Sequence, residues 1–167
     1  MSHPLVLGLF DDLNTASAAG RALREMGIFG SRLSVVAATH EQEGVLARAL
    51  GASPGAEIED SRPAARLGEL SAHVIAAVAI VLPGVGPLLA AGPLAAEFGE
   101  AAGHVAGGVA AVLRNAGVDE ARAVMWQERI EGGAVLLGAH VVEGDTEPVV
   151  QVLLRSGARE TALAEWQ

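Results

Sequence analysis

Two copies of a Glu/His motif contain the residues of this chain whose type and spacing suit chemistry. Residues 68–82 and 99–113 both read G-E-x-x-x-H-V-x-x-x-V-A-x-V-L, with eight identities in fifteen positions. The first copy contributes Glu69 and His73, and the second contributes Glu100 and His104. A Glu and a His four residues apart lie on one face of a helix. Carboxylate oxygens and imidazole nitrogens together suit iron, manganese or zinc.

The segment between the two copies predicts that they fold back on each other. Pro83, Gly84, Gly86 and Pro87 form a turn-rich connector, and a second break follows at residues 92 and 93 (Gly-Pro). Proline ends a helix and glycine permits a reversal of the chain. We therefore predict an antiparallel α-helical hairpin over about residues 64–115, with the paired motifs on facing helices.

The register of this hairpin predicts a metal site. If the chain reverses between residues 86 and 87, the numbers of facing residues sum to 173, so that Glu69 faces His104 and His73 faces Glu100. Glu97 lies one helical turn from Glu100. Glu and His side chains on facing helices also form the sites of carboxylate-bridged metal proteins, although those use Glu-x-x-His. The predicted ligands of a divalent metal, with iron as first choice and manganese or zinc as alternatives, are Glu69, His73, Glu97, Glu100 and His104.

Several functions are compatible with this motif. A metal site of this kind could support iron oxidation or storage, so that a ferroxidase-like activity is one interpretation and non-catalytic metal binding another. Haem held by His73 and His104 is a further alternative. The Glu and His side chains could instead form ion pairs that satisfy each other in an apolar hairpin. His3, His40 and His140 are dispersed along the chain and are interpreted as surface or structural residues, and Ser34 has no recognisable nucleophile context.

Composition limits the classes of partner. The chain has 11 basic and 20 acidic residues, and its formal charge of −9 argues against binding to nucleic acid. It has no cysteine, which excludes disulfides and thiolate metal sites. The first four residues, Met-Ser-His-Pro, lack the basic region of a signal peptide, so we expect a cytoplasmic protein.

The hairpin region also predicts self-association. Residues 70–96 contain no Asp, Glu, Arg or Lys, but Pro83, Pro87 and Pro93 divide the run into pieces too short to span a bilayer. One hairpin cannot cover apolar faces of this extent, and such surfaces usually mark interfaces. We therefore predict a homodimer or larger assembly through the hairpin, with peripheral membrane contact as an alternative for a non-catalytic module.

The rest of the chain predicts a scaffold of the α+β class. Apolar strands are expected near residues 5–10, 32–37, 134–141 and 160–166, with helices from Asp11 and Asp12 to Met26, from Asp119 to about Gly132, and over 147–156. In the helix after Asp119 we expect Val124 and Met125 to face inward. The order β-α-β…β-α-β predicts a ferredoxin-like sandwich, with both of its helices on one face of an antiparallel sheet. Residues 1–63 and 116–167 would be its halves, and 64–115 the inserted hairpin.

Three segments resemble one protein family. They are L-F-D-D at 9–12, I-V-L-P-G-V-G-P-L-L-A-A-G-P-L-A at 80–95 and E-G-G-A-V-L at 131–136. The chain is similar there to bacterial heat- or low-temperature-induced general stress proteins, and the resemblance covers most of its length. It implies a ferredoxin-like domain interrupted by a glycine-rich hydrophobic hairpin, and a stress-linked role. It implies no catalytic residues.

Overall fold

A computed structural model of the chain describes residues 3–28, 32–38, 77–82, 86–91 and 108–166. The described part of the chain contains six strands and four helices, and its fold belongs to the α+β class, as predicted. In chain order these are β1 (His3–Phe10), α1 (Leu13–Glu25), β2 (Leu33–Ala38), β3 (Ala77–Leu82), β4 (Gly86–Ala91), α2 (Gly108–Asn115), α3 (Glu120–Glu131), β5 (Val135–His140), α4 (Thr146–Arg155) and β6 (Glu160–Trp166).

The six strands form one sheet in the order β3-β4-β2-β5-β1-β6, and all five neighbouring pairs are antiparallel. The register is fixed by pairs such as Leu5 with His140 between β1 and β5, and Val36 with Leu136 between β2 and β5. Strand β5 is therefore flanked by β1 and β2, and its C-terminal end lies beside the N-terminal ends of both.

Helices cover both faces of the sheet. Alternate residues of a strand point to opposite faces, so Leu5, Leu7 and Leu9 of β1 lie in one core cluster and Val6 and Phe10 in another. The first cluster includes buried residues of α2 and α3, and the second includes buried residues of α1 and α4. Helices α1 and α4 lie on one face, as predicted for the two helices of the scaffold, and α2 and α3 cover the other face. Helix α2, which ends the predicted insertion, contributes Val109, Val112 and Leu113 to the core.

Aspartate side chains cap the N-terminal ends of two helices. The Asp12 side chain accepts a hydrogen bond from the Thr15 backbone N–H at 2.9 Å, which confirms residue 12 as the N-cap of α1. The Asp119 carboxylate accepts in the same way from the Arg122 N–H at 3.1 Å and caps α3. Backbone hydrogen bonding is the main reason that the pKa of Asp12 lies below its usual value.

The inward face of α3 differs from the prediction. Val124 and Met125 are 46% and 38% exposed, whereas Trp126 and Ile130 are fully buried. The Trp126 indole N–H donates to a carboxylate oxygen of Glu160 at 2.9 Å, so its polar atom is satisfied at the margin of the core. Ala123, Trp126 and Ile130 form the buried face of α3, and Trp126 is the largest fully buried side chain among the described residues.

The prediction of a helix over the end of the first Glu/His motif, at residues 77–82, is wrong. Residues 77–82 form β3, which pairs with β4, and β4 in turn pairs with the edge of β2. Ala77 pairs with Ala91 and Leu82 with Gly86, so the numbers of paired residues sum to 168 instead of 173. A short apolar run bounded by Pro and Gly cannot be assigned to helix or strand by periodicity alone. Its β-branched residues Val78, Ile80 and Val81 favour a strand once β4 offers an edge for pairing.

Candidate functional site

Three polar residues meet at one end of the sheet. His3 begins β1, His140 ends β5 and Ser34 is the second residue of β2. Because β5 is antiparallel to both neighbours, its last residue reaches the level at which they begin. Leu5 pairs with His140 and Ser34 with Gly138. Strand alternation then places His3, Ser34 and His140 on the same face of the sheet.

These side chains form a hydrogen-bonded chain. His140 Nδ1 lies 3.1 Å from His3 Nε2, and His140 Nε2 lies 3.1 Å from Ser34 Oγ. The two imidazole ring centres are 5.3 Å apart. The Arg32 Nε–H donates to the His140 backbone oxygen at 3.1 Å. Ser34 is fully buried and His140 is 4% exposed, so both ring nitrogens of a buried imidazole have polar partners.

Burial keeps the His140 imidazole neutral. Its pKa is lowered from 6.5 to about 4, first because burial disfavours the charged ring and then because positive charge on His3 and Arg32 repels a proton. A neutral imidazole has one N–H and one lone pair. Either the Ser34 hydroxyl donates to His140 Nε2 while Nδ1–H donates to His3, or His3 Nε2–H donates to Nδ1 while Nε2–H donates to Ser34. The chain therefore has two proton arrangements of equal net charge.

A groove of about 660 Å³ adjoins this chain at His3. It lies between the N-terminal end of β1, the C-terminal end of β6, the C-terminal end of α2 and the region just before and at the start of α4. Its lining combines polar and apolar residues, and the described residues in it are His3, Pro4, Asn115, Ala116, Gly117, Glu143, Thr146, Leu163, Ala164 and Glu165. His3 is thus the member of the hydrogen-bonded chain that a ligand in the groove could contact.

The Ser-His pair is unsuited to nucleophilic catalysis in this arrangement. A serine nucleophile must present Oγ to a substrate carbonyl beside donors for the developing oxyanion. Ser34 has no exposed surface, and its Oγ lies at the inner end of the chain, on His140. The arrangement can orient the His3 ring through its buried partners.

The predicted metal ligands Glu69, His73, Glu97, Glu100 and His104 all lie outside the described residues. The facing register that brought them together assumed a helical reversal about residues 86 and 87, and the β3–β4 pairing does not follow that register. Within the part of the chain that the structure describes, no three His, Asp or Glu side chains are grouped so as to hold a metal ion. Asp11 pairs with Arg159 at 2.6 Å, and Asp12 is the N-cap of α1, in keeping with its interpretation as a helix start.

The grouping of His3, Ser34 and His140 was not predicted from the sequence. These positions are far apart in the chain, and none belongs to a recognisable motif. The clue in the sequence was the position of the two histidines. His3 precedes the first apolar strand, and His140 comes near the end of the third apolar strand. Only the pairing of β5 between β1 and β2 makes those ends adjacent.

Comparisons with protein-family models, with curated proteins and with solved structures found no match to this chain. The resemblance to general stress proteins therefore stays a prediction. Among the helices that the structure describes, none is both long enough and apolar enough to cross a bilayer.

The metal prediction can be tested without the geometry of its ligands. If Glu100 binds a metal ion, Glu100→Ala should abolish metal retention and remove any rise in melting temperature that the metal gives. If Glu100 only pairs with His73, the substitution should lower the melting temperature equally with and without a chelator. Elemental analysis and thermal unfolding of both proteins, each with and without chelator, distinguish the two. A wild-type protein that chelator leaves unchanged would contradict the metal site.

Proposed function

We propose that this protein is a non-catalytic, stress-associated assembly module that binds copies of itself through the hairpin formed by β3 and β4. The observation that carries the proposal is that β3, an apolar strand without charge, lies at the edge of the sheet. Among the described strands it pairs only with β4. An edge strand presents unpaired backbone N–H and C=O groups, which can pair with another chain.

The sequence around this edge supports self-association. Natural proteins protect exposed edge strands with charged residues, particularly lysine, or with a covering element. Residues 70–96 contain no charged residue, and the whole chain contains no lysine. The opposite edge differs, because β6 contains Glu160 and Glu165, and Arg122 donates to the Thr161 carbonyl oxygen at 3.4 Å. The charge difference between the two edges favours β3 as the contact.

We also infer that β1, β2, β5 and β6 with α1 and α4 constitute a ferredoxin-like core. In support of this, the four strands are ordered β2-β5-β1-β6 and are antiparallel, and each helix connects two strands that have a third between them. Strands β3 and β4 extend that core at β2, and α2 and α3 cover its second face. In this proposal the insertion both enlarges the sheet and supplies its contact edge.

Sedimentation velocity of the full chain without detergent tests the assembly. At micromolar concentration we expect a dimer or larger species, because apolar edge pairing removes both backbone groups and apolar side chains from water. The sedimentation coefficient should fall on dilution if the species exchange. A monomer at all concentrations up to about 100 μM, in the range at which weak complexes form, would overturn the proposal.

A further inference from the structure

The contact between His3 and His140 places two imidazole nitrogens at the separation of two ligands on one metal ion. His3 Nε2 and His140 Nδ1 are 3.1 Å apart. A zinc ion lies about 2.0–2.1 Å from each imidazole nitrogen that binds it. Two nitrogens with this separation, each at that distance from one ion, subtend an angle of about 95–102° at the ion. This angle lies between the right angle of a square-planar site and the wider angle of a tetrahedral one.

The orientation of the two rings requires a small adjustment to bind an ion. The ring centres are 5.3 Å apart, whereas two imidazoles on one ion at the angle above would have their centres about 4.8 Å apart. His140 is buried in the sheet, but His3 is half-buried at the first residue of β1 and lines the groove. A turn of the His3 side chain therefore directs both nitrogens at one ion, which reaches them from the groove.

The protonation of the rings suits metal binding. The pKa of His140 is about 4, so its ring is neutral at pH 7 and no proton has to leave it before an ion binds. Metal-binding histidines donate their other ring N–H to a neighbouring group. Ser34 Oγ lies 3.1 Å from His140 Nε2 and can accept that hydrogen bond, which leaves a lone pair on His140 Nδ1. A neutral His3 ring then has only to carry its proton on Nδ1 for Nε2 to bind the ion.

Two effects oppose a cation at this position and limit its affinity. Burial is the largest cause of the lowered pKa of His140, and the positive charge of Arg32 is the smallest of the three causes. Both effects also disfavour a metal ion. Two nitrogen ligands must outweigh them, so we expect a dissociation constant in the micromolar range. An ion bound this weakly is lost during purification, which distinguishes this site from the retained metal that Glu100→Ala tests.

We propose that His3 and His140 bind a divalent ion of the late first-row transition metals, such as Zn²⁺, through His3 Nε2 and His140 Nδ1, with water completing its coordination. Imidazole nitrogen suits Zn²⁺, Ni²⁺ and Cu²⁺, whereas Mg²⁺ and Ca²⁺ prefer oxygen ligands. The site uses none of the metal ligands that the sequence predicted. It is also independent of the assembly edge, because β2 and β4 lie between β5 and β3.

A zinc titration followed by NMR tests the site. Full-length protein with 13C-labelled histidine is treated with a chelator, exchanged into buffer at pH 7 and titrated with zinc chloride. We expect the ring signals of His3 and His140 to shift together and to saturate, and we expect magnesium chloride to leave both unchanged. A shift of the His3 ring without a shift of the His140 ring would overturn the proposal. So would the lack of a saturable shift up to about 1 mM Zn²⁺, which is weaker than most specific sites.

Matched histidine variants separate this site from the ligands predicted at residues 69–104. His3→Gln removes one imidazole from a half-buried position and should weaken the Zn²⁺ response of His140 at least about 100-fold. His73→Gln with His104→Gln removes two other imidazoles and should leave the dissociation constant at His3 and His140 within about twofold. Urea unfolding confirms that each variant is folded. If His3→Gln leaves the response of His140 intact, or if the double variant abolishes it, the ion is bound elsewhere and the proposal is wrong.

Discussion

Acidification from pH 7 to pH 4 is expected to lower the free energy of unfolding by about 3 kcal/mol through His140 alone. The folded-state pKa of His140 is about 4, whereas an unfolded histidine titrates near 6.5. Between these values the unfolded chain binds a proton that the folded chain does not, so stability falls as pH falls. The contribution is complete above pH 6.5, decreases between pH 6.5 and 4, and levels off below pH 4.

Urea unfolding at intervals from pH 7 to pH 4 measures this effect. Carboxylates also become protonated toward pH 4. The effect of His140 is therefore measured as the loss of unfolding free energy in wild type minus the loss in His140→Gln. Glutamine can still form hydrogen bonds but does not bind a proton in this pH range. Between pH 7 and pH 4 the free energy of unfolding of the variant should therefore fall by about 3 kcal/mol less than that of wild type. Its stability at pH 7 should already be lower, by about 1–3 kcal/mol, because a buried hydrogen-bonded chain is disrupted.

Ser34→Ala is the matched control for the pH dependence between pH 7 and pH 4. It removes one hydrogen-bonding partner of His140 but leaves the titrating imidazole in place. We expect a lower stability at pH 7 and a pH dependence that still follows the wild type. NMR titration of the His140 ring gives the pKa directly. Equal losses for wild type and His140→Gln between pH 6.5 and 4 would show that the buried imidazole does not govern the acid response.

Ala79→Lys in β3 is expected to convert the assembled protein to a monomer. A lysine on an edge strand opposes pairing with a second chain, because its charge must stay in water and is repelled by the same charge on the partner. In a symmetric contact each interface would carry the substitution twice. We expect the dissociation constant to rise at least about 100-fold, which corresponds to about 2.7 kcal/mol, as measured by sedimentation over a dilution series.

Leu163→Lys places the same charge on β6, at the opposite edge of the sheet. Leu163 is 59% exposed, so lysine should be tolerated by the fold. We expect its sedimentation to match that of wild type. If Leu163→Lys dissociates the assembly and Ala79→Lys does not, the contact lies at β6 and the proposed edge is wrong. Urea unfolding of both variants shows whether a loss of assembly comes from a loss of folding.

The sequence by itself determined the elements whose signals are local. Strand β1, helix α1 and helix α4 follow from apolar runs, helical periodicity and adjacent turn residues, and they lie close to where they were predicted. Asp12 and Asp119 cap their helices through backbone groups three residues away, an interaction that needs no tertiary partner. The α+β class follows from the order of these elements.

Tertiary structure decided the features that depend on pairing between distant segments. Residues 77–82 form a strand because β4 pairs with both β3 and β2, and a short apolar run has no periodicity strong enough to prevent it. Trp126 is buried against the core with Ala123 and Ile130, and Glu160 on β6 satisfies its indole N–H. His3, Ser34 and His140 meet because β5 pairs between β1 and β2. Residues more than 100 positions apart become hydrogen-bonded partners only through strand register, which no local spacing encodes.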